Sequence, residues 1–254
     1  MIKATLRTLL HGIGFDVIRY RPQTLASQLP QDVCEDDRQI IRRIQPFTMT
    51  SIERQIALIQ AVRYVARHQI QGSFVECGVW RGGSSMAMAL TLQQEKQCER
   101  DLYLFDTFEG MTPPTDADKT DDGTLAQELL RRDSTRAGAV WAVAGIDDVQ
   151  QNMLSTSYPQ ELVHYCKGPV ETTIPSQSPS GPIALLRLDT DWYESTKHEL
   201  AHLFPLLCHG GVMIIDDYGH WAGAKRAVDE FLAASGASYF LHRIDYTGRL
   251  LIKR

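Results

Sequence analysis

From Gly72 onward, short apolar runs alternate with longer stretches of helical spacing. The runs are SFVEC (73–77), LYLFD (102–106), LVHYC (162–166), IALLRLD (183–189) and GVMIID (211–216). Between them lie the helical candidates SSMAMALTLQQ, DDVQQNMLST, STKHELAHLFPLL and AGAKRAVDEFLAA. Upstream, TSIERQIALIQAVRYVARH predicts a helix capped by Thr50 or Ser51, with Ile52, Ile56, Ile59, Val62 and Val65 at helical intervals. Strand–helix alternation with apolar strands predicts an α/β, Rossmann-like, mostly parallel sheet covered on both faces. SYFLHRID, a Tyr-Thr-Gly turn and RLLIKR predict an antiparallel hairpin at the sheet edge.

Three stretches fall outside this rhythm. Residues 1–22 are apolar at Ile2, Leu6, Leu9, Leu10 and Ile13 and carry Lys3, Arg7, Arg19 and Arg21, the marks of a basic amphipathic helix. Packing on the body or on a partner subunit is the expected role, with weak peripheral membrane contact as the alternative. Residues 23–46 read as polar and irregular, so 1–47 is taken as an N-terminal extension and 48–254 as the main domain. Residues 111–139 are too polar for core and too long for an ordinary connection, which predicts a lid.

Composition narrows the class. Hydrophobic residues make up 43% and charged residues 22%, ordinary for a globular chain, and the net charge of −5 gives no basic face for nucleic acid. Five scattered cysteines without a Cys-x-x-Cys pair read as free thiols of a cytoplasmic protein. No apolar run approaches the roughly 20 residues of a membrane span, and residues 1–22 lack the long apolar stretch and small-residue cleavage site of a signal peptide.

The chemistry gathers at the strand ends. Glu76, Asp106, Asp189 and Asp216 each end or follow a strand, and ligands of open α/β sheets sit outside those ends. One such acid is adequately explained as a helix cap; four at equivalent positions point to one crevice. FVECGVWRGGSS, the first strand-to-helix turn, spaces its glycines as Gly-x-x-x-Gly-Gly, unlike the dinucleotide fingerprint. Glu76 would repel a pyrophosphate at that helix start. An anionic loop suits a cationic, phosphate-free cofactor, for which S-adenosylmethionine is the candidate. Gly78 permits close backbone approach, and Glu76, Gly78, Trp80 and Ser84 are the loop's expected cofactor contacts. Asp106 is placed to accept the ribose hydroxyls.

IIDDYG puts Asp216 and Asp217 after the fifth strand as Asp189 follows the fourth. Clustered carboxylates raise one another's pKa unless a cation sits among them. Oxygen ligands alone favour Mg²⁺, with Mn²⁺ tolerated; hydrogen-bonded helix caps are the alternative. In LLRLDTDWYEST, extended backbone would put Asp189 and Asp191 on one side, about 7 Å apart. Asp189 is then assigned to the metal with Asp216 and Asp217, and Asp191 to proton removal from a hydroxyl acidified by the metal. His220 and Trp221 are candidates for the acceptor pocket, with loop packing equally open. Trp192 and Tyr193 are expected to stack on a sugar, and His198 and His202 to be structural.

TMTSIER, FVECGVWRGGSS, LFDTFEGM, YCKGPVETTIP, LLRLDTDWYEST and GGVMIIDDYGHWAGAKRAVDEF run in order from residue 48 toward the C-terminus. Together they resemble the macrocin O-methyltransferase (TylF-like) family of SAM- and Mg²⁺-dependent sugar methyltransferases. The resemblance implies a seven-stranded class I methyltransferase fold, metal ligands at Asp189, Asp216 and Asp217, and a base at Asp191. It also implies an acceptor sugar, on a macrolide or aminocoumarin scaffold, with neighbouring hydroxyls. By position in the family pattern, Val170 or Glu171 lines the adenine. Catechol O-methyltransferases are similar more distantly but use a lysine base, and no lysine lies between Asp189 and Thr196.

The expectation is therefore a cytoplasmic, homo-oligomeric, Mg²⁺-dependent sugar O-methyltransferase acting on a small hydroxylated molecule. Two rivals stand beside it: a metal-dependent methyltransferase of a phenol or lipid-linked polyol, and a non-catalytic SAM-binding regulator. Intact Asp189, Asp191, Asp216 and Asp217 argue against the regulator, which needs no metal site.

Overall fold

The computed structural model describes residues 29–254 except 134 and 137, so the basic helix expected over residues 1–22 lies outside the described residues. The chain divides into two compact units, Met1–Asp32 and Val33–Arg254. In the second unit, strands β1 (Ser73–Cys77), β2 (Leu102–Asp106), β3 (Val163–Lys167), β4 (Ile183–Leu188), β5 (Leu207–Ile215), β6 (His242–Arg243) and β7 (Arg249–Ile252) form one sheet. Its order is β3-β2-β1-β4-β5-β7-β6. β3 through β5 are parallel, and β7 and β6 close the edge antiparallel, as the alternation and the terminal hairpin predict.

The helices are α1 (Glu35–Ile44), α2 (Ile52–Arg67), α3 (Gly83–Gln94), α4 (Ala126–Arg132), α5 (Ile146–Ser155), α6 (Val170–Thr173), α7 (Tyr193–Leu203) and α8 (Ala222–Ala234). α2 begins at Ser51, whose hydroxyl accepts the Arg54 N–H at 3.1 Å. α3 is buried from Gly83 to Leu92, on every face, which explains the apolar run over 86–90. Both α1 and α2 pack against α3.

One expectation is corrected here. Residues 23–46 are not uniformly irregular, because α1 occupies 35–44 with Ile40, Ile41 and Ile44 buried on one face. Charge hid that stripe in the sequence: Glu35, Asp36 and Asp37 fill the first turn and Arg42 and Arg43 the last, the polarity a helix dipole favours. The 111–139 segment carries structure of its own. It holds α4, a bridge between Lys119 and Leu125, and a fully buried Asp118.

The core is continuous across the central strands, from Val75 and Phe105 through Leu186 and Leu188 to Met213 and Ile215, with Leu200, Leu203 and Val228 of the covering helices. Among the described residues no helix is long and apolar enough to cross a membrane.

Candidate active site

The strand order reverses between β1 and β4: β2 and β3 extend the sheet one way, β4 and β5 the other. The loops beyond the carboxyl ends diverge at such a point and leave a crevice. Here that crevice is a cleft of about 380 Å³, lined from the ends of β1, β2, β4 and β5 and from the α2 entrance.

Its floor is a buried ion-pair layer. Arg187 lies opposite Glu76 in the β1–β4 register, and its guanidinium donates to Glu76 at 2.7 Å and Asp216 at 2.6 Å, and pairs with Asp189 at 2.8 Å. Burial opposes its charge, yet Asp189, Asp216 and Glu76 hold its pKa well above the ordinary value. Arg54 of α2 donates to the other oxygen of Asp216 and, at 3.0 Å, to Asp245 beside the terminal hairpin. Neither arginine stands out in a search for catalytic motifs. A charged residue inside a wholly buried strand was the available signal for Arg187, because such a charge needs partners.

Above this layer, carboxylate oxygens of Asp189, Asp191 and Asp217 lie within 4.8 Å of one another. All three are pushed upward in pKa, chiefly by withdrawal from water; Asp191 reaches about 7, with a hydrogen bond from Asp217 pulling the other way. Asp217 Oδ2 is fully buried without a hydrogen-bond partner. The expected extended geometry of 189–191 is replaced by a tight turn. Asp191 has φ +69°, and the Trp192 N–H donates across it to the Thr190 carbonyl at 2.8 Å. Asp189 and Asp191 still meet, brought together by that turn. Asp216, expected in the same group, is elsewhere: both its oxygens accept from the arginines.

On the cofactor side, Gly78, Trp80, Ser84, Asp106, Val170 and Glu171 all line the cleft. Asp106 accepts from the Val79 and Phe108 N–H groups at 2.7 Å and the Trp80 N–H at 3.1 Å, tying the β1 and β2 loops together. Burial raises its pKa, against those amides. Gly78 has φ +82°, and a Cβ there would overlap the Asp189 carbonyl, so the close approach it permits is between two strand ends. Glu76 is not brought to the cleft wall. It is fully buried, and its oxygens accept from Arg187 and the Ser85 hydroxyl.

On the acceptor side, His220 and Trp221 line the cleft, whereas Trp192 and Tyr193 do not. The sugar-stacking expectation for that pair gives way to packing. Trp192 is buried with Ala126, Leu130, Trp221 and Ala224 and donates to the Thr112 carbonyl at 2.9 Å. Tyr193 is buried too, its hydroxyl donating to Glu230 at 2.7 Å. His198 faces the Ile174 carbonyl at 2.9 Å, and its ring lies tilted against that of His202, 4.4 Å between centroids.

A Rossmann-like sheet of this order, with its cleft at the β1/β4 crossover, defines a class I methyltransferase fold. The chain belongs to the macrocin O-methyltransferase family, whose model, "Macrocin-O-methyltransferase (TylF)", matches residues 11–253. It is similar to demethyldecarbamoylnovobiocin O-methyltransferase of Streptomyces niveus, 32% identical over 79% of this chain and 73% of that protein. An 8-demethyl-8-(2,3-dimethoxy-alpha-L-rhamnosyl)-tetracenomycin-C 4'-O-methyltransferase of Streptomyces olivaceus is 34% identical, with the same shares covered. Among solved structures, the O-methyltransferase NovP superposes with a TM-score of 0.71 at 31% identity, over 82% of each chain. The calicheamicin methyltransferase CalS11 shares the fold at 17% identity and a TM-score of 0.63, over 93% of this chain and 99% of its own.

Proposed function

We propose that this chain transfers the methyl group of S-adenosylmethionine to a hydroxyl of a sugar in a natural product, with Mg²⁺ as its metal. The observation that carries the reading is the all-oxygen group of Asp189, Asp191 and Asp217, one of whose oxygens is buried and unpartnered. Such a set is costly by itself and suited to a hard divalent cation. The rhamnosyl-bearing acceptor in the name of the Streptomyces olivaceus relative supports the sugar.

Asp189 and Asp217 would hold the ion. When bound, Mg²⁺ supplies Lewis acidity toward acceptor oxygens, and Mn²⁺ would substitute. S-Adenosylmethionine supplies a methyl group on a sulfonium. Asp191 takes the proton of the acceptor hydroxyl on a carboxylate oxygen as that hydroxyl oxygen bonds to the methyl carbon and the carbon–sulfur bond breaks. Arg187 and Arg54 hold Asp216, which is therefore left out of the ligand set. Trp80, Ser84, Asp106, Val170 and Glu171 form the cofactor side, with the one lone-pair site of Asp106 Oδ1 not used by amides, 3.4 Å from the Thr107 hydroxyl, directed to ribose. His220 and Trp221 bound the acceptor.

The test is a methyl-transfer screen on glycosides with neighbouring hydroxyls, catechols and free polyols. Transfer to glycosides, abolished by chelation and restored by Mg²⁺ or Mn²⁺, is the expected result. Transfer indifferent to chelation removes the metal from the proposal, and transfer to catechols alone removes the sugar.

A further inference from the structure

The helices that follow the two acid-bearing turns both start at a tryptophan. Trp192 is the N-cap of α7 and Trp221 the N-cap of α8, and neither side chain caps its own helix. Indole has no acceptor, so the first N–H groups of both helices need partners from elsewhere. Two consecutive residues of the 111–139 segment provide them. The Asp118 carboxylate accepts the Tyr193 N–H at 2.7 Å, and the Lys119 carbonyl accepts the Ala222 N–H at 2.8 Å.

Asp118 is built into this place. It is fully buried, and its second oxygen accepts from the Thr115 N–H and hydroxyl at 2.7 and 2.9 Å. Gly223, in the first turn of α8, makes room for it, since a Cβ there would overlap the carboxylate. Around the clip, the Trp192 indole donates to the Thr112 carbonyl, and the Trp192 and Trp221 rings meet edge to face at 5.0 Å. One residue before Trp192, Asp191 sits at φ +69° under a three-residue hydrogen bond, a strained turn that persists only when its surroundings over-determine it.

We propose that Asp118 is a positioning residue. With the Lys119 carbonyl it clips the starts of α7 and α8 together, and so holds Asp191 in its strained turn at a fixed distance from Asp217. The effect on catalysis rests on the reading of Asp191 as base; the effect on the turn does not. The 111–139 segment is thus anchored at 118–119 to the helices behind both acid turns.

The test compares Asp118→Ala, Gly223→Ala, the double variant and Asp191→Asn. Asp118→Ala should lose about 10- to 100-fold in single-turnover rate, the usual result of displacing a reacting group by an ångström, with S-adenosylmethionine affinity by calorimetry unchanged. Amide exchange by NMR in the unliganded protein should quicken at residues 191–194 and 220–223 while β1, β4 and β5 keep their protection. Gly223→Ala, which crowds the carboxylate without removing it, should do the same and lose most of its effect in the Asp118→Ala background. It also carries the test if Asp118→Ala does not fold. Unchanged exchange at 191–194, or equal Gly223→Ala effects in both backgrounds, overturns the clip. Full activity of Asp191→Asn would instead overturn the base assignment and leave the exchange result standing.

Discussion

Six carboxylates stand at or just beyond the ends of the central strands, and the structure divides them into two regions. In the floor and the β1–β2 loops, Glu76, Asp106 and Asp216 are satisfied. Arg187 bridges Glu76 to Asp216, Arg54 takes the other side of Asp216, and three amides meet Asp106. In the layer above, Asp189, Asp191 and Asp217 crowd together with, among the described residues, one salt bridge, Asp189 to Arg187, and an orphaned Asp217 oxygen. Equal strand-end position therefore does not mean equal role. Satisfied acids hold strand ends together, and under-satisfied ones are the candidates for meeting a bound ligand.

The largest expected effect tests the upper layer. Asp191→Asn should lose roughly 10²- to 10⁴-fold in single-turnover rate, about 3–5 kcal/mol of barrier, with cofactor affinity intact by calorimetry. Wild-type turnover would move Asp191 into the satisfied class.

The lower layer should fail differently. Arg187→Met strips the buried partner shared by Glu76 and Asp216 and should cost about 3–5 kcal/mol of stability in urea denaturation. Loss of rate without loss of stability would make Arg187 a participant in the chemistry and erase the division.

A smaller effect sharpens the boundary between the layers. Mg²⁺ at a hundredfold excess over its dissociation constant should stabilise the protein by about 2.7 kcal/mol, read as a rise in Tm. Asp217→Asn should lose that rise and Asp216→Asn, once its own destabilisation is subtracted, should keep it. The opposite pattern restores Asp216 as the ligand.

The smallest separates the two tryptophans that start the helices after the acid turns. Trp192→Phe removes the indole hydrogen bond to Thr112 and should cost about 0.5–1.5 kcal/mol of stability, with the acceptor KM little changed. Trp221→Phe should raise that KM, because Trp221 borders the cleft. A rise in KM for Trp192→Phe of the same size would return Trp192 to the acceptor site.

Much of this was legible in advance where the signal is periodic. Apolar runs ending on acids located the strands and the crevice, and the Thr50 or Ser51 cap located the start of α2, which Ser51 fills. Misreadings came where a residue type has two uses. An aromatic pair after an acid turn reads as a sugar platform, yet Trp192 and Tyr193 fill the space between α4, α7 and α8. Polar 23–46 concealed the isoleucine face of α1, because charges at both helix ends outnumber the stripe.

Local sequence was sufficient for the parallel sheet, the edge hairpin and the gathering of acids at one end, since strand period and strand ends are short-range properties. Which acids are free was decided only by the tertiary structure. The partners that settle the matter come from far along the chain: Arg187 is 111 residues from Glu76, Arg54 is 162 from Asp216, and Asp118 is 75 from the Tyr193 amide it caps. A carboxylate looks the same in sequence with or without such a donor, and burial makes the difference large, because an unmet charge away from water is costly and a met one holds the fold together.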